Sequence, residues 1–121
     1  MIKLIDIHED KRGYIKAIEN MLPDGREFAF LEVKKGYARG GCLHTEDEYL
    51  TVVKGKIKLY LGDKEEIISE GESKKILKNV PHAFVGITDS IVAEWGIKTE
   101  EKQKDIKVPS LRKVVDDINK K

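Results

Sequence analysis

Near the middle of the chain, a thiol at Cys42, an imidazole at His44 and a carboxylate at Glu48 follow the glycine-rich run Gly36-Tyr-Ala-Arg-Gly-Gly41. Such side chains can ligate a metal ion or move a proton. All three have the same parity, and alternate side chains of an extended strand share a face. A strand beginning near Cys42 would therefore turn all three toward one side of a sheet.

The elements that must position this stretch are short strands. Apolar–polar alternation and turn residues predict strands over Met1–Ile7, Tyr14–Ile18, Arg26–Val33, Glu48–Val53, Ile57–Leu61, Glu65–Ser69, Ser73–Lys78, His82–Ile87 and Ile91–Ile97. Lys34–Gly41 reads as a glycine-rich loop leading into the site, and Thr99–Lys107 as a charged connector. Pro23-Asp24-Gly25 is a turn signal, because proline fixes φ and glycine accepts positive φ. In the tail, Leu111, Val114, Val115 and Ile118 have the spacing of one helix face. With Ser110 as N-cap, a helix is expected from about 110 to 120, packed on the outside of the sheet. Roughly nine strands with a turn signal every eight to twelve residues argue for an all-β sandwich or barrel.

Composition narrows the function classes. A chain of 121 residues can bury a core as one domain, and 40% hydrophobic with 37% charged residues exclude a disordered polymer. The net charge of +1 offers no bulk attraction to nucleic acid or to an anionic membrane, so neither is expected as a partner. No apolar run approaches membrane-spanning length, and charge breaks the N-terminal segment too early for a secretory leader, so a cytoplasmic protein is expected. Cys42 is the single cysteine, which rules out an internal disulfide. Placed in the open beside His44, it would carry a stabilised, oxidation-prone thiolate. Richness in Lys, Glu and Ile matches the profile reported for hyperthermophile proteins.

The spacings resemble those of the cupin superfamily. Its first motif, G-x5-H-x-H-x3-E-x6-G, is met by Gly36, Cys42, His44, Glu48 and Gly55, with cysteine at the first histidine. Its second, G-x5-P-x-G-x2-H-x3-N, falls on Gly71, Leu77, Asn79, His82 and Gly86, where Gly71 and His82 keep the family residue. Fifteen residues separate the motifs, a length typical of compact cupins. The resemblance implies a double-stranded β-helix (jelly-roll) with a C-terminal helix: one cupin domain over residues 1–121 with its barrel core at about 26–98. It also implies a homodimer and a metal set of Cys42, His44, Glu48 and His82 for one divalent ion, Zn, Fe, Mn or Ni. Without Cys42, the remaining three form a two-His-one-carboxylate set suited to Fe(II) oxygen chemistry or a Lewis-acid site.

A narrower resemblance points to cupins acting on nucleotide-linked 4-keto sugars, the dTDP-4-dehydrorhamnose 3,5-epimerases and the related 3,4-ketoisomerases. It is carried by Asp10-Lys11-Arg12-Gly13, similar to a D-x-R-G signature, and by Arg39-Gly40-Gly41-Cys42-Leu43-His44, similar to R-G-x-H-x-H. Those enzymes work without metal. The implied roles are His44 as general base, His82 or a tyrosine (Tyr37, Tyr49 or Tyr60) as its catalytic partner, and Arg12 and Arg39 as pyrophosphate anchors. Isomerase or epimerase, metal-dependent cupin enzyme, and non-catalytic ligand sensor all remain open at this stage.

Overall fold

The computed structural model describes residues 3–121. Eleven strands and two helices follow one another: β1 (Lys3–Asp10), β2 (Gly13–Glu19), β3 (Arg26–Val33), β4 (Ala38–Leu43), β5 (Glu48–Lys54), β6 (Lys56–Leu61), β7 (Lys64–Ser69), β8 (Ser73–Ile76), β9 (His82–Gly86), β10 (Ser90–Lys98), α1 (Thr99–Lys102), β11 (Ile106–Lys107) and α2 (Pro109–Ile118). Their order is β1-β2-β3-β10-β5-β8 in a six-stranded sheet and β11-β4-β9-β6-β7 in a five-stranded one. Among the described residues, every pairing between these strands is antiparallel, and an isolated parallel bridge joins Lys35 to Gly86. From β3 onward the chain crosses between sheets at nearly every connection, with β6–β7 the one hairpin inside a sheet. This is the winding of a double-stranded β-helix.

Period-two burial explains why these segments are strands. Ala29, Leu31 and Val33 on β3, Leu50 and Val52 on β5, and Val92 on β10 are buried from the six-stranded sheet. They meet Ile57, Leu59, Ile68 and Phe84 of the opposing sheet in one core cluster. A second, smaller cluster lies outside the barrel. There Val115 of α2, with Leu111 and Ile118 beside it, packs on Ala38 and Ala83 of β4 and β9.

Several expectations need correction. The Lys34–Gly41 stretch is not all loop: β4 begins at Ala38. The 99–107 connector holds one helical turn and a two-residue strand, so among the described residues the strands number eleven rather than nine. The helix starts at Pro109 with Val108 as its N-cap, and Ser110 makes no capping hydrogen bond. Proline at the first helical position supplies the pre-set φ instead. Val114, expected on the buried face, is exposed.

The main correction concerns Cys42, His44 and Glu48. They do not share a strand: Cys42 is the penultimate residue of β4 in the five-stranded sheet, His44 lies in the following loop, and Glu48 opens β5 in the other sheet. The chain changes sheets between them, so convergence comes from the two walls of the barrel facing each other, not from strand parity.

Two backbone devices hold these walls. Between Gly40↔Ala83 and Cys42↔His82 the β4–β9 register shifts by one residue, a bulge at Gly41. Bulges of this kind re-aim the side chains that follow them. At Gly40, φ is +103° and a Cβ would come within 2.8 Å of the Ala83 Cα and 2.9 Å of the His82 carbonyl oxygen. Gly40→Ala should therefore lose about 2 kcal/mol or more of stability, read as a lowered midpoint in urea unfolding; an unchanged midpoint would contradict this account of the bulge.

Candidate functional site

Three glutamates project from adjacent strands of the six-stranded sheet onto its inner face. Glu94 of β10 stands opposite Ala29 and Leu50, so Glu27 on β3 and Glu48 on β5 are its diagonal neighbours. From the facing sheet come Cys42 and His82, direct cross-strand partners. The β4–β5 loop adds His44, tied to the segment before His82 by Asn79 N–H donating to the His44 carbonyl at 2.8 Å. Asn79 has φ +63°, a left-handed conformation that asparagine tolerates better than most residues. This accounts for asparagine at the position where the second cupin motif has glycine.

The polar atoms meet at short range. His44 Nε2 lies 3.7 Å from Glu48 Oε1, and His82 Nε2 lies 4.0 Å from the same oxygen. The Cys42 Sγ is 3.9 Å from His44 Nε2. His82 Nδ1 is 3.0 Å from the Val80 carbonyl oxygen. With Nδ1–H as the donor, the Nε2 lone pair is left facing Glu48, the second-layer hydrogen bond common to metal-binding histidines. Glu48, His44 and His82 are all buried. Yet Glu48 Oε1 and His44 Nδ1 have no hydrogen-bond partner.

Lys102, from the single turn α1, enters this space from the side. Its Nζ donates to Glu48 Oε2 and, at 3.2 Å, to Glu94 Oε1. One lysine thus faces three inward carboxylates, and the electrostatics follow from that imbalance. Burial, then the Glu94 charge, push the Glu48 carboxyl up to about 8, against the opposing pull of Lys102. Burial pulls Lys102 down, but Glu94 and Glu48 outweigh it and hold the ammonium well above its ordinary range. Glu94 is lowered: burial raises it, and Lys102 with His82 more than reverse that. Burial, then Lys102, hold His44 down at about 4, so its ring is neutral at physiological pH. His82 is lowered by burial as well. Burial and then Asp105 push the Cys42 thiol up to about 12, so the thiolate expected of an exposed cysteine is not what the fold produces.

Beside these groups lies a cavity of ≈ 210 Å³ whose wall includes Arg12, Arg39, Lys107 and Arg112 as well as Lys102. Arg39 is buried; its Nε donates to the Glu32 carbonyl at 2.8 Å, and an Nη is 3.4 Å from the Tyr14 carbonyl. Burial lowers its guanidinium to about 10. Arg12 is held by Asp10 through its Nε and Nη2, the latter at 2.7 Å, and the arginine keeps the Asp10 carboxyl well below the usual range. The D-x-R-G stretch is therefore an internal ion pair followed by a glycine whose Cβ would strike Glu32 at 2.7 Å.

Cys42, His44, His82, Arg12 and Arg39 share the cavity wall, and Glu48 stands behind His44 and His82. The tyrosines are elsewhere: Tyr49 stacks on Trp95, Tyr60 packs near α2, and Tyr37 lies against the core under Lys11 and Lys121. Sequence reasoning did not anticipate Glu27, Glu94, Lys102, Lys107 or Arg112 beside the expected residues. Glu94 had a signal, a lone charge inside the apolar run Ile91–Ile97. Lys102, one of six charged residues between Thr99 and Lys107, had none; neither did Lys107 or Arg112.

The residues fit a divalent cation. The orphaned Glu48 oxygen and the oriented His82 Nε2 are what a cation would satisfy. Donor atoms of Cys42, His44 and His82, and separately of Glu48, His82 and Glu94, lie within 4.8 Å of one another. Donors at about 2.1 Å from a tetrahedral ion sit about 3.4 Å apart, so only a small inward movement is needed. In the cation-free protein, His44 is neutral in the fold but charges below pH 6.5 when unfolded, and folded His44 resists protonation to about pH 4. The unfolded chain then binds the extra proton, so this contribution to stability is lost as pH falls through that window, by up to about 1.4 kcal/mol per pH unit. Glu48 acts in the opposite sense between 4.5 and about 8. The observable is therefore a difference: urea unfolding in chelator should show wild type losing stability relative to His44→Gln as pH drops from 6.5 to 4, and parallel curves would refute it.

A protein-family model described as a cupin domain matches residues 29–97. No curated protein matches the chain by sequence. Among solved structures, the capsular polysaccharide assembling protein CapF from Staphylococcus aureus aligns with TM-score 0.72 and 20% identity over 88% of this chain and 32% of its own. KdgF from Halomonas sp. aligns with TM-score 0.64 and 19% identity over 75% of this chain and 83% of its own. Hydroxypropylphosphonic acid epoxidase from S. wedmorenis aligns with TM-score 0.68 and 18% identity over 78% of this chain and 56% of its own. The chain thus spans about a third of CapF and about half of the epoxidase, and at these identities the likeness is one of fold. Among the described residues, no helix is long and apolar enough to cross a membrane. The matched segment covers more than half of the chain, so the protein belongs to the cupin domain family.

Proposed function

We propose that this protein is a cupin enzyme that holds one divalent metal ion with His44, His82, Cys42 and the free oxygen of Glu48, and that it acts on a small anionic substrate. The observation that carries this reading is Glu48 Oε1: fully buried, without a partner, and directed at both imidazoles. A thiol in the donor set favours Zn or Fe over Mn or Ni. The bound ion would supply Lewis acidity toward a substrate oxygen. Arg12, Arg39, Lys107 and Arg112 favour a carboxylate or phosphate on the substrate. The cavity of ≈ 210 Å³ is below the roughly 300–1,000 Å³ of drug-sized ligand sites, which favours a small molecule or the reacting end of a larger one. Metal analysis of fresh, tag-free protein should find about one equivalent of ion, lost in His44→Ala; a metal-free wild type would overturn the reading.

One observation favours a second reading. Lys102 already gives Glu48 a cationic partner, as a metal-free site would require. In that case His44 is the base for proton removal next to a carbonyl, His82 is its catalytic partner, and Arg12 and Arg39 anchor the pyrophosphate of a nucleotide-linked 4-keto sugar. The neutral state of the His44 ring suits a base, although its lowered basicity weakens it. Metal-stripped protein should then exchange solvent deuterium into a dTDP-4-keto sugar and lose at least about a hundredfold in rate in His44→Gln. No exchange by metal-stripped protein would remove this second reading.

A further inference from the structure

The cation-binding groups fall into two overlapping sets that share His82. One, Cys42–His44–His82, is a thiol–imidazole set; the other, Glu48–His82–Glu94, is dominated by carboxylates. Zinc-like ions prefer the first kind of donor, and Mn(II) or Mg(II) the second. In the structure the two sets are not equivalent. Lys102 Nζ donates to Glu48 Oε2 and to Glu94 Oε1, so both carboxylates of the second set already have a cation. Among the buried polar atoms without a partner, beside His44 Nδ1 and a Glu27 oxygen, is the other Glu48 oxygen, on the side of the two histidines.

We infer that Lys102 is a built-in cation that fills the carboxylate half of the metal site and thereby sets its selectivity, excluding hard oxygen-seeking ions and leaving the thiol–imidazole half for a softer one. The inference rests on the metal-binding reading above and adds to it a residue outside both cupin motifs. The geometry behind it is specific. Glu94 reaches the site only from β10, diagonal to Glu48 across the β5–β10 pairing. An ion drawing on both carboxylates must displace the ammonium that bridges them. Lys102 is itself held in place by its neighbours: Thr99 N–H donates to the Gly25 carbonyl at 3.0 Å, and Glu101 accepts from Thr45 Oγ1 at 2.6 Å. Its turn is thus fastened to loops on both sides. A lysine so fixed discriminates against an incoming cation by charge and by occupancy, with no change in the imidazole donors.

The test uses two metal probes on the full chain: Co(II), followed by its thiolate-to-cobalt charge-transfer absorption, and Mn(II), followed by electron paramagnetic resonance titration. Wild type should give the cobalt absorption and bind Mn(II) weakly. Lys102→Met should bind Mn(II) about tenfold or more tightly than wild type while its Co(II) affinity changes much less. Adding Glu94→Gln to Lys102→Met should abolish the Mn(II) gain. If the Co(II) absorption is present but Lys102→Met leaves the Mn(II)/Co(II) preference unchanged, the role of Lys102 is overturned and the metal reading stands. If neither ion binds either protein, both fall. Melting curves of each variant check the fold; should Lys102→Met unfold in metal-free buffer, restoration of the fold by Mn(II) supports the inference, and failure to restore it overturns the inference.

Discussion

Burying a carboxylate in a barrel is expensive unless something of opposite charge goes in with it. Here three glutamates from adjacent strands reach one end of the interior, and a single lysine follows them. Lys102 connects Glu48 to Glu94, and much of the local architecture can be understood as the means of delivering it. The last strand of the barrel runs directly into α1, which is only one turn long and has no buried residue of its own hydrophobic face. Apolar packing does not hold that turn. Its anchoring comes from polar ties to the turn before β3 and to the β4–β5 loop. Removing one member of such a buried pair leaves an uncompensated charge, an effect typically of several kcal/mol.

Much of the barrel was readable from residue order. Alternation in β3, β5 and β6 announces strands because one face of each is buried against the opposite sheet, and Pro23-Asp24-Gly25 and Gly62 mark turns because their backbone needs are specific: φ is +62° at Asp24, +67° at Gly25 and +62° at Gly62. Parity grouped Cys42, His44 and Glu48, and the cupin resemblance added His82, although the reason they lie near one another proved to be the facing of two sheets. Parity is a rule about one strand, and it fails when the chain crosses from one wall to the other within three residues of His44. Glu94 could have been suspected as a charge in an apolar run. Lys102, Lys107 and Arg112 could not, because their signal depends on where a polar connector folds back, and charge-rich connectors have no periodicity to read.

Cys42 shows how one position carries two kinds of information. Its spacing keeps it beside His82 across β4 and β9, where a second imidazole would otherwise stand. Its chemistry differs: a buried thiol without a cation stays protonated, as the rise to about 12 indicates. A bound cation would invert that, because a coordinating thiol is deprotonated outright. On the metal-binding reading, the same side chain would be a protonated thiol without the ion and an anionic ligand with it.

The segment matched by the family model ends at residue 97 and begins at 29. Within it lie the barrel walls and the donor atoms Cys42, His44, Glu48, His82 and Glu94. Arg12 precedes it, and Lys102, Lys107 and Arg112 follow it. Of these, Arg112 closes against the barrel through its bond to the Gly40 carbonyl at 2.8 Å. The cavity wall is therefore assembled from three stretches of the chain: the matched segment supplies the thiol, the imidazoles and Arg39, and the two flanks add Arg12, Lys102, Lys107 and Arg112. The charge of that wall can thus be altered from outside the matched segment.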